Sequence, residues 1–358
     1  MQDFFFEKFF ENFIFVFSDL NCFFCYGIIV KKRKEGIFVT LTELAKLAHV
    51  STSTASKAFA GSPEVNEQTR EMIFEVAKRA GCFKKFCKSD YPGYVIAVLC
   101  PEFTSTYYSG FIAKMQECLA RYNSEMCVMA TGFSRETEEK LIEYYDKYNT
   151  VDGIIIINGI SELPESRRIP IANASRFAEG RGDIEVTMNL TSPIEELISE
   201  LCERGARSFG FVGDKYAPHR LELYRRILEK HGIDVPDMAV AISEDKRFEP
   251  CGRAGVDEIF SDGNPPRVIF CSYDRIAYGA IRELLDKGYR VPEEVAVFSV
   301  DDAPSSEYFK PSLTSVNHAV DETCEAVSTA IIKKIKGEPF AEEIRIVCPL
   351  SRRESTNI

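Results

Sequence analysis

From Tyr94 onward the chain alternates short β-branched apolar runs with amphipathic stretches, and this alternation limits the possible folds more than any other feature. The runs are "YVIAVLC" (94–100), "EMCVMA" (125–130), "VDGIIII" (151–157), "SFGFVG" (208–213), "MAVAI" (238–242), "RVIFCS" (267–272) and "EVAVFSV" (294–300). Helical patterns lie between and after them at 109–122, 134–148, 191–204, 219–231, 252–261, 274–287 and 320–336. Strand–helix alternation at this spacing implies βαβ units and parallel sheets. Runs as continuous as 151–157 suit sheets covered on both faces. No nucleotide site comes with the alternation, because neither G-x-G-x-x-G nor G-x-x-x-x-G-K-[ST] occurs.

Residues 40–81 follow another rhythm. Thr40-Leu41-Thr42-Glu43 has the form of a capping box, and Leu41, Leu44, Ala45, Leu47 and Ala48 give a short helix one apolar face. His49-Val50 makes a turn; His tolerates a positive φ better than most residues. Ser51 caps a second helix to about Ala60 with Ala55, Ala58 and Phe59 inward, and Gly61-Ser62-Pro63 stops it. Asn66 caps a third helix to Ala80, with Met72, Ile73, Val76 and Ala77 inward and Gly81 beyond its end.

Three short helices with a tight turn between the first two form a helix-turn-helix unit, whose second helix enters the DNA major groove. "STSTASK" (51–57) falls at the start of that helix. Thr52, Ser53 and Lys57 are spaced to point outward. Short hydroxyl side chains allow close approach to phosphates and base edges, and a lysine can donate to guanine O6 and N7. The plainer alternative is a solvated face that tolerates Ser and Thr. Both are indifferent helix formers, so such a run has no local reason.

Charge divides the chain the same way. Residues 31–90 carry 12 Lys/Arg against 7 Asp/Glu, whereas residues 91–358 carry 31 against 44, within a total net charge of −11. A basic head on an acidic body fits a polyanion partner for the head alone. The 12 cysteines are scattered through predicted strands and helices; they read as reduced thiols, several of them small core residues. Cys22-Phe-Phe-Cys25 is a lone CxxC without two further ligands at matching spacing, so no metal is expected.

Ten of the 27 phenylalanines lie in residues 1–24. One reading of residues 1–37 is a poorly ordered extension, or one outside the native product with translation starting nearer Val39. The other is a membrane anchor through residues 13–30, disfavoured by Ser18, Asp19 and Asn21 near its middle. A secretory signal is not expected, since basic residues do not precede the apolar run.

"VTLTELAKLAHVSTSTASKAFAGSPEVNEQTREMI" resembles the DNA-binding head of the lactose-repressor (LacI/GalR) family. The resemblance implies base contacts from Thr52, Ser53 and Lys57, and DNA contacts from Thr40, Ser51, Thr54, Ser56 and Thr69. Family members follow the third helix with a Pro-Asn linker and a short helix whose leucine wedges into the minor groove. Here the linker "CFKKFCKSDYPGY" is about three residues shorter, with no Asn and no Leu. Lys84, Lys85 and Lys88 are placed to meet phosphates. Phe83 or Phe86 as a substitute wedge and a flexible tether both stay open.

"ARSFGFVGD", "FCSYDRIAYGAIRELLDKGYRVPEEVAVFSVDD" and "KPSLTSVNH" resemble the periplasmic-binding-protein-like effector domain of the same family, and "LSRRES" its C-terminal strand. The implied fold is α/β: a three-helix head at 38–81, a hinge at 82–93 and a two-lobed body at 94–358 with doubly wound parallel sheets. Three crossovers between lobes are implied, near residues 188, 301 and 317. The resemblance implies a small effector, a sugar or related metabolite, in the interlobe cleft. Arg220 matches a ligand donor, and Asp274 and Asp301 match carboxylates that accept from hydroxyls. Tyr107, Tyr108, Phe177 and Tyr273 are candidates for an aromatic wall. Asn189-Leu190 replaces the usual Asp-Asn, and Tyr273 replaces a polar residue, which suggests a ligand with fewer hydroxyls than a hexose, or a cleft that has drifted from ligand control. Asp274 also fits an N-cap, and Arg220 a surface ion pair.

Two cleft carboxylates suit polyol binding as well as acid–base chemistry, and none of the four histidines sits in a catalytic motif. The expectation is a cytoplasmic, homodimeric regulator of double-stranded operator DNA, with neither cofactor nor enzymatic activity.

Overall fold

The computed structural model describes residues 39–87, 93–163, 167–175, 182–261, 263 and 265–358. The aromatic extension, Lys88 and Phe177 lie outside the described residues. Among those described, no helix is long and apolar enough to cross a membrane.

The head holds α1 (Leu41–Leu47), α2 (Thr52–Phe59) and α3 (Glu67–Arg79). Each start is capped by the residue the sequence offered. Glu43 N–H donates to Thr40 Oγ1 at 3.2 Å while Glu43 Oε2 accepts from Thr40 N–H at 2.7 Å. Ser51 Oγ accepts from Thr54 N–H at 3.0 Å and Asn66 Oδ1 from Thr69 N–H at 2.8 Å. The turn residue His49 has φ 51°. Leu44, Ala45, Ala48, Ala55, Ala58, Ile73 and Ala77 form the buried interior. Arg70 binds the structure together by donating to the carbonyls of Ala58, Ser62 and Val65, each at 3.0 Å. Met72, expected inward, is instead 43% exposed.

A short helix, α4 (Phe83–Phe86), turns back on the head. The Phe83 ring lies 5.8 Å from Phe59 and 5.1 Å from Phe74, and the Phe86 ring 5.7 Å from Phe59. Both rings belong to the head's apolar cluster, and burying them there is more favourable than presenting them to water. Phe83 and Phe86, the two candidates for a wedge, thus pack against the head.

The body has two six-stranded sheets. The first, ordered β11-β5-β4-β3-β1-β2, is parallel throughout, built from Tyr94–Cys100 (β1), Ser124–Ala130 (β2), Gly153–Ile157 (β3), Ile171–Ala174 (β4), Ile184–Asn189 (β5) and Glu343–Val347 (β11). The second, ordered β12-β10-β9-β8-β6-β7, comprises Phe209–Asp214 (β6), Val240–Ser243 (β7), Val268–Cys271 (β8), Ala296–Asp301 (β9), Thr314–Asn317 (β10) and Leu350–Ser351 (β12). Only β12 runs antiparallel to its neighbour.

The chain changes lobe after Asn189, after Asn317, and between Val347 and Leu350. The crossing expected near 301 does not occur. Asp301 and Asp302 have φ of 131° and 54°, and the chain turns there through the helix Ser305–Tyr308 into β10, which pairs with β9 in the same sheet.

Candidate DNA-recognition helix and effector cleft

In the head, Ser51, Thr52, Ser53 and Ser56 are exposed along one side of α2, with Ala55 and Ala58 buried behind them. Thr54 is half-buried, and its hydroxyl shares a 2.7 Å hydrogen bond with Ser51 Oγ. Lys57 Nζ donates to Glu64 Oε2 at 2.5 Å, with the lysine side chain 43% exposed. Thr40 is exposed and Thr69 half-buried, each engaged at a helix start. Lys84 lies in α4. Lys85 Nζ donates to Val39 O at 3.0 Å, fastening α4 to the start of the head.

Between the lobes, at the C-terminal ends of the strands, lies a cavity of about 310 Å³. Tyr107, Tyr108, Arg220, Tyr273 and Asp301 all line it, joined by Glu102, Phe133, Asn158, Tyr216 and Arg247, which the sequence did not single out. Arg220 is held by the carbonyl of Ser272, and its Nη2 lies 3.5 Å from His318 Nε2. Arg220 Nε, Tyr107 Oη, Asn158 Oδ1 and His318 Nδ1 are buried without a hydrogen-bond partner in the fold. Such orphaned atoms are costly, and Tyr107, Asn158 and Arg220 all line one cavity. Tyr108 Oη accepts from Asn158 Nδ2 at 2.9 Å.

Burial pushes the Asp301 carboxyl well above its ordinary range, against the opposing pull of Arg220. Burial and the Arg220 charge depress His318 to about 3 and His219 to about 4, so both rings are neutral at pH 7. The 3.8 Å approach of His318 Nε2 to Asp301 Oδ1 is therefore not an ion pair.

Two expected ligand residues sit elsewhere. Asp274 is fully buried, and its carboxylate accepts from Ser299 and Ser315 hydroxyls at 2.6 Å each, from Ser306 at 2.5 Å and from Ala303 N–H at 2.7 Å. It is neither an N-cap nor a cavity residue: those donors fill its acceptor positions and pin the loop after β9. Asn189 lies outside the cavity. Its amide donates to Ser192 Oγ at 2.9 Å and accepts from Ser192 N–H at 3.3 Å, closing the start of the helix Thr191–Glu203.

A helix-turn-helix head on a two-lobed, cleft-bearing body defines a DNA-binding transcriptional regulator. Residues 40–81 match the lacI family of bacterial regulatory proteins, and residues 198–356 match the periplasmic binding protein-like domain. The chain thus resembles regulators of the lacI family, whose DNA-binding domain is matched at residues 40–81. Catabolite control protein A of Staphylococcus aureus is 25% identical over 324 residues, covering 87% of this chain and 96% of that protein. The transcriptional regulator CelR in complex with cellobiose has a TM-score of 0.61 at 23% identity, covering 88% of this chain and 99% of that one. The Lac repressor dimer bound to operator and the anti-inducer ONPF has a TM-score of 0.64 at 17% identity, covering 89% and 99%.

Proposed function

We propose that the protein is a cytoplasmic, homodimeric repressor that binds a pseudo-palindromic operator, and that an uncharged sugar-type effector in the cleft alters its operator affinity. The division into a head (38–81), a linker (82–93) and an effector and dimerisation body (94–358) belongs to this reading. The exposed hydroxyl-rich side of α2 carries it: Thr52, Ser53 and Lys57 meet base edges, and Ser51, Thr54, Ser56 and Lys85 lie toward the phosphates. The relatives' names point the same way, one bound to operator and one to cellobiose.

The pairing of most of the cavity's fixed charge favours an uncharged effector. Arg220, Arg247 and Arg275 are the cavity's guanidinium groups. Glu102 and Asp214 engage Arg247, Glu249 engages Arg275, and Asp301 lies near Arg220. Two of the three guanidinium groups are thus already paired with carboxylates, and burial moves Asp301 toward its neutral form, so Arg220, held by the Ser272 carbonyl, is left to donate into the cavity. The orphaned Tyr107, Asn158 and Arg220 atoms offer hydroxyls two donors, the Tyr107 O–H and Arg220 Nε–H, and two acceptors, Asn158 Oδ1 and Tyr107 Oη, beside walls of aromatic rings. At about 310 Å³ the cavity is at the small end for ligand sites.

Selection of an operator from a randomised duplex library, followed by titration with neutral mono- and disaccharides and their phosphorylated counterparts, tests this reading. A neutral sugar should change operator affinity and raise the melting temperature. Response only to phosphorylated compounds would reject the uncharged effector, and failure to enrich any duplex would reject the operator.

A further inference from the structure

The lobes are joined across the cavity by a set of side chains whose pairing with one another neither DNA binding nor effector contact explains. Glu102 follows β1 in the first lobe, and Arg247 precedes α9 (Phe248–Ile259) in the second. Arg247 donates from Nη1 and Nη2 to the two Glu102 oxygens at 2.7 and 2.9 Å, and from Nε to Asp214 Oδ2 at 3.1 Å. Thr104 Oγ1 donates to Glu102 Oε2 at 2.8 Å, and the Tyr273 hydroxyl donates to Asp214 Oδ2. Each carboxylate is thus oriented from within its own lobe before the arginine joins them.

Aromatic rings enclose the pair. The guanidinium lies 4.5 Å from the Phe248 ring centroid and 4.9 Å from that of Tyr216. Phe133 of the first lobe stacks on Tyr216 of the second, with centroids 4.0 Å apart and planes 19° from parallel. Phe133 and Phe248 have φ of 57° and 56°, a region that bulky residues rarely occupy and that persists only where the surroundings hold it.

Solvent-exposed ion pairs contribute little, but this one is a two-pronged fork with side-chain exposures of 26% and 14%. Burial works against the charges and is outweighed: Arg247 holds Glu102 below the ordinary carboxylate range, and Glu102 then Asp214 hold Arg247 above its own.

We propose that Arg247 is a positioning residue: through Glu102 and the Phe133–Tyr216 stack it fixes the angle between the lobes, and with it the separation at which a dimer presents its two heads. The inference rests on the regulator reading above. It makes lobe closure a property of the chain's own side chains, so an effector acts on a pre-set angle. The ligand-binding residues and the residues that set the angle are then largely different groups in one cavity.

The test is hydrogen–deuterium exchange of the full-length protein, with no small molecule added, combined with operator affinity. Glu102→Gln alters only the first lobe, yet it should speed exchange about fivefold in segments 214–219 and 244–249 of the second, as expected when a tie of about 1 kcal/mol is lost. Arg247→Met should do the same to segments 101–108 and 131–135 of the first lobe. Asp214→Asn keeps the fork to Glu102 and should perturb mainly its own lobe. If Arg247 serves only its own lobe, Glu102→Gln will leave second-lobe exchange unchanged, and the proposal falls. Should Arg247→Met not fold, the Glu102→Gln result decides alone. Operator affinity of Glu102→Gln should change by threefold or more; faster exchange with unchanged affinity would overturn the link to head separation. Loss of operator binding by the unsubstituted protein would instead reject the regulator reading.

Discussion

At the scale of single residues, Lys57 and Glu64 set the clearest expectation. Their 2.5 Å ion pair holds the lysine beside the recognition surface, so reading a base requires exchanging one acceptor for another. Glu64→Gln should therefore tighten operator binding several-fold, measured by fluorescence anisotropy; weaker binding would place Glu64 itself at the DNA. Asp274 shows where residue-level reading stops. Its sequence neighbourhood cannot reveal that Ser299, Ser306 and Ser315 converge on it from far along the chain. Asp274→Ala should cost about 3–5 kcal/mol of stability, because several buried donors lose their partner, as read by urea unfolding. His318 gives a pH signature. In the unfolded chain it takes up a proton below about 6.5, whereas in the fold it stays neutral to about 3. The unfolded state therefore binds more protons in that window, and stability falls as pH falls through it. Replacing His318 with Asn should remove about 2 kcal/mol of the stability difference between pH 7 and pH 5; an unchanged pH profile would mean the ring is not buried as a neutral group.

At the scale of elements, α9 crosses α10 (Asp274–Asp286) at two glycines. A Cβ on Gly252 would come 1.9 Å from Ile276 O, and one on Gly279 2.0 Å from Glu249 O. Gly252→Ala should therefore destabilise the second lobe by 1–3 kcal/mol or more, on the order of other overpacked cores, visible as a lower melting temperature. Those glycines also hid the start of α9. With Pro250, Gly252 and Gly255 among its first eight residues, the pattern read as helical only from 252, whereas the helix begins at Phe248. The head was legible almost to the residue, because Thr40, Ser51 and Asn66 mark its helix starts with local chemistry. Strands β4, β5, β10 and β11 were not, apart from the few residues the family resemblance covered. "IANA" is short, and Asn173 binds Glu185 of the neighbouring strand at 2.6 Å, a cross-strand contact invisible to periodicity. β11 is an edge strand whose residues alternate between exposed and half-buried, so it carries little apolar signal.

At the scale of the whole molecule, the family resemblance supplied the two-lobed plan, and the cleft's position followed from the sheet topology. Arg220 and Asp301 were legible as cleft residues through the family resemblance; Asp301 ends β9 and Arg220 lies in the first turn of the helix after β6, on the side where α/β ligands bind. Glu102, Phe133, Tyr216 and Arg247 were not, since their importance exists only once the lobes face each other. The basic head on an acidic body predicts operator affinity that falls steeply and log-linearly with salt, while effector binding, made by neutral contacts, should change little between the same salt concentrations. Two heads on one dimer further predict that lengthening the operator by half a helical turn abolishes binding. Whether α2 reads DNA is decided by the operator affinity of Lys57→Ala across single-base operator variants. The expected result is a loss of about 1–3 kcal/mol and relaxed discrimination at one base pair in each half-site. Unchanged affinity with unchanged base preference would contradict it.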